Sequence, residues 1–146
     1  VTFTVKVSGT SSLRVSRAGW QAAAREWAGL VGPLAKTALQ AKAPVSPNHG
    51  GTLKKSIRYR TKVLATRAEI TFTAVDYARF VIDGTAAHDI RPKNAKALFW
   101  EGAQHPVAVV HHPGTKPNDF VQRALEPLRP AIQAALREAM AAALKP

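Results

Sequence analysis

The sequence predicts an α+β domain, a small and mostly antiparallel sheet packed with a long N-terminal helix and a C-terminal helix. Three observations predict it. The chain opens on the alternating, β-branched "VTFTVKV", the period-2 mark of a strand. Residues 16–43 then carry apolar side chains at helical spacing. Residues 53–74 return to alternation before a second helical pattern closes the chain. The order strand, helix, strands, helix belongs to the α+β class. At 146 residues the chain fits one ordinary domain, 1–146, and no boundary is visible.

In order, the first strand is expected at residues 1–7, broken by "SGTSS". Ser12 or Ser16 can cap the long helix that follows. Trp20, Trp27, Leu30, Val31, Leu34 and Ala38 lie along one face of it. The two tryptophans are expected in the core or in a subunit contact. Gly32-Pro33 falls inside this pattern and predicts a kink or a break, and Pro44 ends the helix. "VSPNHGG", residues 45–51, is a loop by its Pro, Asn and Gly content.

"LKKSIRYRTKV" and "ATRAEITFTA" form a hairpin with Ala65 and Thr66 at the turn. That register sets Tyr59 opposite Phe72, Ile57 opposite Ala74 and Val63 opposite Ala68. The other face carries Lys54, Arg58, Arg60 and Lys62, with Glu69 opposite Lys62. Next, "YARFVIDG" reads as a short helical turn or an edge segment ending at Gly84, whose missing Cβ permits a left-handed backbone. "AAHDI" and "KALFW" are short strands about an "RPKN" turn, and "PVAVV" is another. Asn118 or Asp119 caps the last helix. Phe120, Ala124, Leu128, Ile132, Leu136, Met140 and Leu144 recur at every fourth position. Pro127 and Pro130 predict that this helix bends or divides near Pro130.

Charge is the strongest bulk signal. Lys and Arg number 21 against 9 Asp and Glu, a formal net charge of +12. Such a field attracts polyanions or fits acidic surfaces of neighbouring subunits. The absence of cysteine excludes disulfides, thiolate metal sites and thiol nucleophiles. No uncharged run approaches the roughly 18 residues of a membrane span, and no signal-peptide order is seen at the start. A soluble protein is expected. The first residue is Val1, so a start residue or a longer leader is expected upstream.

Five histidines, His49, His88, His105, His111 and His112, with Asp83 and Asp89 invite a metal hypothesis. No helical H-x-x-x-H or H-E-x-x-H is present, and adjacent His111 and His112 point opposite ways in an extended chain. For hydrolysis only Asp83, His88 and Asp89 form a local set, and Ser56 lacks a nucleophile elbow. "HPGTKP" echoes a phosphate loop, but Pro113 and Pro117 remove two amide donors and the Walker spacing is absent. Its composition suits a stiff turn that starts a helix. The expectation is therefore no catalytic residue, no cofactor and no bound metal. On the basic strand Tyr59 faces away, so contact with DNA would be to phosphate without base stacking.

Three blocks together carry a resemblance. "KAPVSPNHGGTLKKSI" (42–57), "YARFVIDGTAAHDIRPKNAKALFW" (77–100) and "VVHHPGTKPNDFVQRAL" (109–125) resemble the tailed-phage tail-completion family, also called head–tail joining or minor tail component proteins. Members carry a long N-terminal helix ending in "AP", then "G-x-L-x-x-S-I", "Y-A-x-x-V-E-x-G-T", "H-x-I-x-P-K-x-x-K-A-L-x-F", "H-P-G-T-x-x-x-P-F" and a C-terminal helix. The three blocks follow in the same order between residues 42 and 125. Two departures stand out: a longer "VSPNHGGTL" replaces "V-D-T-G-x-L", and "IDGT" replaces "E-x-G-T" with Asp83 beside Gly84.

The resemblance implies a non-enzymatic virion protein of a siphovirus-like particle. It would form a ring in the neck or at the head-proximal end of the tail, joining the tail to the DNA-filled head. Partners would be further copies of the chain, hexameric being one option, plus head-connector and tail-terminator or tail-tube proteins. Passing genomic DNA could make non-specific contact, and no membrane is involved. Assembly would take place in the host bacterial cytoplasm. Gly84, Thr85, His88, Pro92, Lys93, His111, Pro113, Gly114, Thr115 and Lys116 match the motifs and are expected to shape loops or subunit contacts. The basic face of Lys54, Arg58, Arg60 and Lys62 would meet DNA or an acidic neighbour, the neighbour being favoured because tight phosphate binding would retard DNA transit. The rival functions are a free-standing, sequence-nonspecific DNA-binding protein and a His/Asp metal-dependent nuclease.

Overall fold

A computed structural model describes residues 1–8, 16–46 and 50–144, with backbone only at residues 7 and 8. The fold is α+β, as expected. Read from sequence as one domain, the chain gathers into two compact units: Val1–Ala78 with Asp119–Pro146, and Arg79–Asn118.

The first unit is built on a three-stranded antiparallel sheet ordered β1-β3-β2, from β1 (Thr2–Ser8), β2 (Arg58–Val63) and β3 (Arg67–Thr73). The hairpin has the register expected, with Tyr59 opposite Phe72, Lys62 opposite Glu69 and Val63 opposite Ala68. β1 adds on the far side of β3, setting Phe3 opposite Phe72. One row of rings therefore crosses the sheet. Phe3 stacks on Phe72 at 5.7 Å, and Tyr59 tilts against it at 6.1 Å, spacings at which ring pairs attract.

Helix α1 (Arg17–Lys42) packs against β2 and β3 as well as α4 (Phe120–Leu125) and α5 (Arg129–Ala143). Ser16 caps it, its hydroxyl accepting from Gly19 N–H at 3.0 Å; Ser12 lies outside the described residues. Because α1 is covered by several elements, the buried arc is wide: Ala23, Ala24, Trp27, Ala28, Val31, Ala35 and Leu39. Leu30 and Leu34, expected on the core face, are instead 56% and 44% exposed. Four alanines share that arc with Trp27, Val31 and Leu39. Trp27 is fully buried and donates its indole N–H to Ile132 O at 3.2 Å. Trp20 donates to Leu64 O at 2.8 Å.

No break occurs at Gly32-Pro33, and α1 runs through it. Pro33 and Gly29 are both exposed, so the hydrogen bond that proline removes is lost on the solvent side, where water can replace it. Gly32 is buried beneath the Tyr59 ring: a Cβ there would lie 2.5 Å from Tyr59 Cε2. The helix stops at Ala43, before Pro44, as expected.

Residues 52–56, expected in part to begin the hairpin, instead form a short helix, α2 (Thr52–Ser56), so Lys54 is not on the strand and Ile57 is the helix C-cap, not a partner of Ala74. Three carbonyls near the end of α2 accept from side chains. Ser56 Oγ donates to Leu53 O (2.7 Å), Gln40 Nε2 to Lys54 O (3.1 Å) and Arg58 Nη1 to Lys55 O (2.5 Å). These caps satisfy the orphan acceptors of a helix end, and Lys54 and Lys55 suit its negative pole.

The C-terminal segment divides as the prolines predict: α4, a 3-10 turn at Glu126–Leu128, then α5 beginning one residue before Pro130. Asp119 sits at the N-cap position of α4 but makes no side-chain cap; its carboxylate accepts from Arg123 Nε at 2.6 Å. The core of this unit centres on Trp27, Val31, Leu39, Ile57, Ile70, Phe72 and Phe120.

The second unit, Arg79–Asn118, holds most of α3 (Ala78–Asp83) and a two-stranded ribbon, β4 (His88–Ile90) with β5 (Val110–His112). The strand expected at "PVAVV" begins only at Val110 and extends into the histidines. β4 pairs with it, and "KALFW" contributes a single bridge, Leu98 to Val107.

Candidate functional site

The residues singled out by sequence fall in two places. In the second unit, α3 ends at Gly84, whose φ of +73° is the left-handed conformation expected there. Thirty residues on, Gly114 has φ +85°. Each glycine precedes a threonine, and the two Gly-Thr pairs clasp one another. Thr85 N–H donates to Thr115 O and Thr115 N–H to Thr85 O, both at 3.0 Å, with the hydroxyls 3.1 Å apart.

The glycines are required by this approach. A Cβ on Gly84 would strike Thr115 O and the Pro117 nitrogen, and one on Gly114 would strike Thr85 O and the Ala86–Ala87 peptide. Asn118 N–H then donates to Val81 O (3.0 Å) and Ile82 O (3.2 Å), closing the last turn of α3.

Beyond the clasp the ribbon continues, His88 opposite His112 and Asp89 opposite His111. Successive strand residues point to opposite faces, so His88 and Asp89 diverge, as do His111 and His112. On one face the His88 and His112 rings stack at 5.0 Å. Their hydrogen bonds fix opposite tautomers. His88 Nδ1 lies 2.9 Å from Ala86 O, which can only accept, so that nitrogen carries the proton. His112 Nδ1 accepts from Gly114 N–H at 3.0 Å, so its neutral ring is protonated at Nε2.

On the other face, Asp89 is held at both oxygens: His111 Nδ1 meets Oδ1 at 2.5 Å and Arg91 Nη2 meets Oδ2 at 3.5 Å. A small open cleft of about 330 Å³ is lined by Ala87, His88, Asp89, His111, His112 and Pro113. Among the described residues no three His, Asp or Glu side chains converge to hold a metal ion; His49 lies outside them. Asp89 is already engaged, and the Nε2–H of neutral His112 cannot serve as a ligand lone pair.

Of the motif residues, Gly84, Thr85, His88, His111, Pro113, Gly114 and Thr115 are thus brought together, Lys116 simply follows Thr115 in the chain, and Pro92 and Lys93 lie past the end of β4. "VVHHPGTKP" is therefore part strand, part clasp, and only then a helix approach. Phe99 and Trp100, at 66% and 51% exposure, lead into a turn closed by Ala103 N–H to Trp100 O. Sequence reading took them for ordinary strand residues.

The second place is the outer face of the three-stranded sheet. Arg58, Arg60 and Lys62 alternate along β2 and are exposed; Lys54, on α2, is not part of this row. Register puts Glu69 between Lys62 and Lys6, and Arg67 Nε also meets its carboxylate at 3.2 Å. Lys6 and Arg67 were not singled out from sequence, because β1 pairing with β3 has no local signal.

No protein-family model, curated protein or solved structure was found to match this chain.

Proposed function

We propose that this chain is a structural, non-enzymatic subunit of a tailed-phage particle, a tail-completion or head–tail joining protein that forms a ring where the tail meets the DNA-filled head. One coincidence carries the reading. The resemblance rests most heavily on "DGTAAH" and "HHPGT", and Gly84, Thr85, Gly114 and Thr115 within them form the reciprocal clasp. A pattern that pairs two distant Gly-Thr motifs has a physical reason when the two motifs must fit each other. The surface also suits assembly: Leu30 and Leu34 on α1, and Phe80, Phe99 and Trp100 in the second unit, are large apolar side chains left exposed. Such groups supply the energy of protein interfaces. Ring closure would come from complementary surfaces of this kind, apolar at the centre and charged at the rim.

The test is location. Labelled antibody in electron microscopy, together with mass spectrometry of purified particles, should find the chain at the neck in a fixed number of copies. Its presence only outside the neck and tail would refute the reading; a monomer in solution would not, because such subunits can wait for a neighbour before closing.

The second reading, a small basic DNA-binding protein acting outside any particle, is favoured by the cationic sheet face. Absence from particles together with association with intracellular DNA would select it.

A further inference from the structure

We infer that the outer face of the β1-β3-β2 sheet binds the sugar–phosphate backbone of nucleic acid without reading bases. The inference rests on the geometry of that sheet and holds whether the chain works within a particle or free.

The register defines the face row by row. Thr2, Thr73 and Arg58 form one row, Thr4, Thr71 and Arg60 the next, and Lys6, Glu69 and Lys62 the third, with Arg67 beyond. Neighbouring strands lie about 4.8 Å apart and alternate residues about 6.8 Å apart. The face is therefore a grid with cations along the β2 side and at Lys6, and threonine hydroxyls on β1 and β3. Its single carboxylate, Glu69, is occupied by Arg67. Arg60, Lys62 and Lys6 have no acidic partner among the described residues, while Arg58 is partly engaged with Lys55 O.

Two classes of partner carry the matching charge, an acidic protein and a nucleic acid, and the composition of the face separates them. Its described outward positions are Thr, Lys, Arg and Glu throughout. Protein interfaces draw their energy from an apolar or aromatic centre and are depleted in Lys; this face offers no such centre. Phosphate contact needs only cations and hydroxyl donors, which the grid provides. The aromatic row Phe3–Phe72–Tyr59 lies on the opposite side of the sheet, so bases have nothing to stack on.

This reverses the preference for an acidic neighbour drawn from sequence. The concern about retarded DNA transit also falls away, since backbone contact of this kind is weak at physiological salt, with Kd of roughly 10⁻⁴ to 10⁻⁶ M.

The test is fluorescence anisotropy with two labelled 20-base-pair duplexes of unrelated sequence, using the full chain. Both should bind alike, with log K falling against log salt at a slope of about −3 to −4, a loss of roughly 100-fold between 50 and 200 mM. The double variant Arg60→Gln/Lys62→Gln should bind at least about 10-fold more weakly at 50 mM salt, with a slope shallower by about 2. Arg25→Gln/Arg137→Gln removes the same charge from exposed helix positions and should stay within about 2-fold of the parent; circular dichroism verifies that each variant is folded. Equal losses in the two double variants would mean that net charge, not this face, does the binding, and would overturn the inference. So would no binding at 50 mM salt, a preference above 10-fold between the duplexes, or displacement by polyglutamate as effective per charge as by unlabelled duplex, the last selecting an acidic protein instead.

Discussion

Thr85 and Thr115 are thirty residues apart, yet each donates its amide to the other's carbonyl at 3.0 Å and their hydroxyls meet at 3.1 Å. The contact exists because a glycine precedes each threonine and leaves the other's carbonyl room to enter. Gly84→Ala and Gly114→Ala should therefore destabilise more than Gly102→Ala. All three have positive φ, which costs an alanine about 1–2 kcal/mol, but nothing stands within 4 Å of a Cβ at Gly102. Hydrogen exchange at the Thr85 and Thr115 amides reports the clasp directly. It should accelerate in the first two variants and not in the third; equal behaviour of all three would remove close approach as the cause.

Gly32 and Tyr59 make the same argument inside the first unit. Gly32→Ala should cost about 1–3 kcal/mol by urea denaturation, the usual range for overpacking, because its Cβ would enter the Tyr59 ring. Tyr59→Ala should destabilise by lost packing, yet the double variant should lose less than the two single losses added. Additivity would show that the two residues do not touch.

Phe72 is the centre of the ring row and fully buried. Phe72→Ala should lose about 3–5 kcal/mol, the range for a buried phenylalanine. Phe3→Ala, at a half-buried edge position, should lose clearly less. Calorimetric unfolding of the two variants ranks them.

The histidine ribbon makes a spectroscopic prediction. With both rings neutral, nitrogen-15 NMR should find His88 protonated at Nδ1 and His112 at Nε2, as their hydrogen bonds to Ala86 O and Gly114 N–H require. The same tautomer in both rings would contradict the geometry of the ribbon.

Much of the first unit was legible in the sequence, and the candidate sites only in part. Alternation and a two-residue turn fixed the hairpin down to the pairs Tyr59–Phe72, Val63–Ala68 and Lys62–Glu69, because a period of two leaves a strand one way to bury its apolar set. Proline fixed the end of α1 and the division between α4 and α5, since it removes a donor wherever it stands. Lys54 was misplaced because the alternation that begins at Ile57 and Tyr59 was carried back over residues 53–56, while the carbonyl caps at the end of α2 come from Gln40 and Arg58 as well as from its own Ser56.

What the sequence by itself determined was thus the character of each element: its period, its ends and which of its own faces is apolar. These are set by neighbours along the chain. The tertiary structure alone decided which elements meet. It joined β1 to β3 and so assembled Lys6 and Arg67 with the basic row, paired β4 with a strand twenty residues away, and gave the deep arc of α1 to alanines in preference to Leu30 and Leu34. The reason is that backbone donors and acceptors are the same at every residue. A distant partner is chosen by where the whole chain can close with its cores packed and its amides satisfied, and that choice leaves no local periodicity to read.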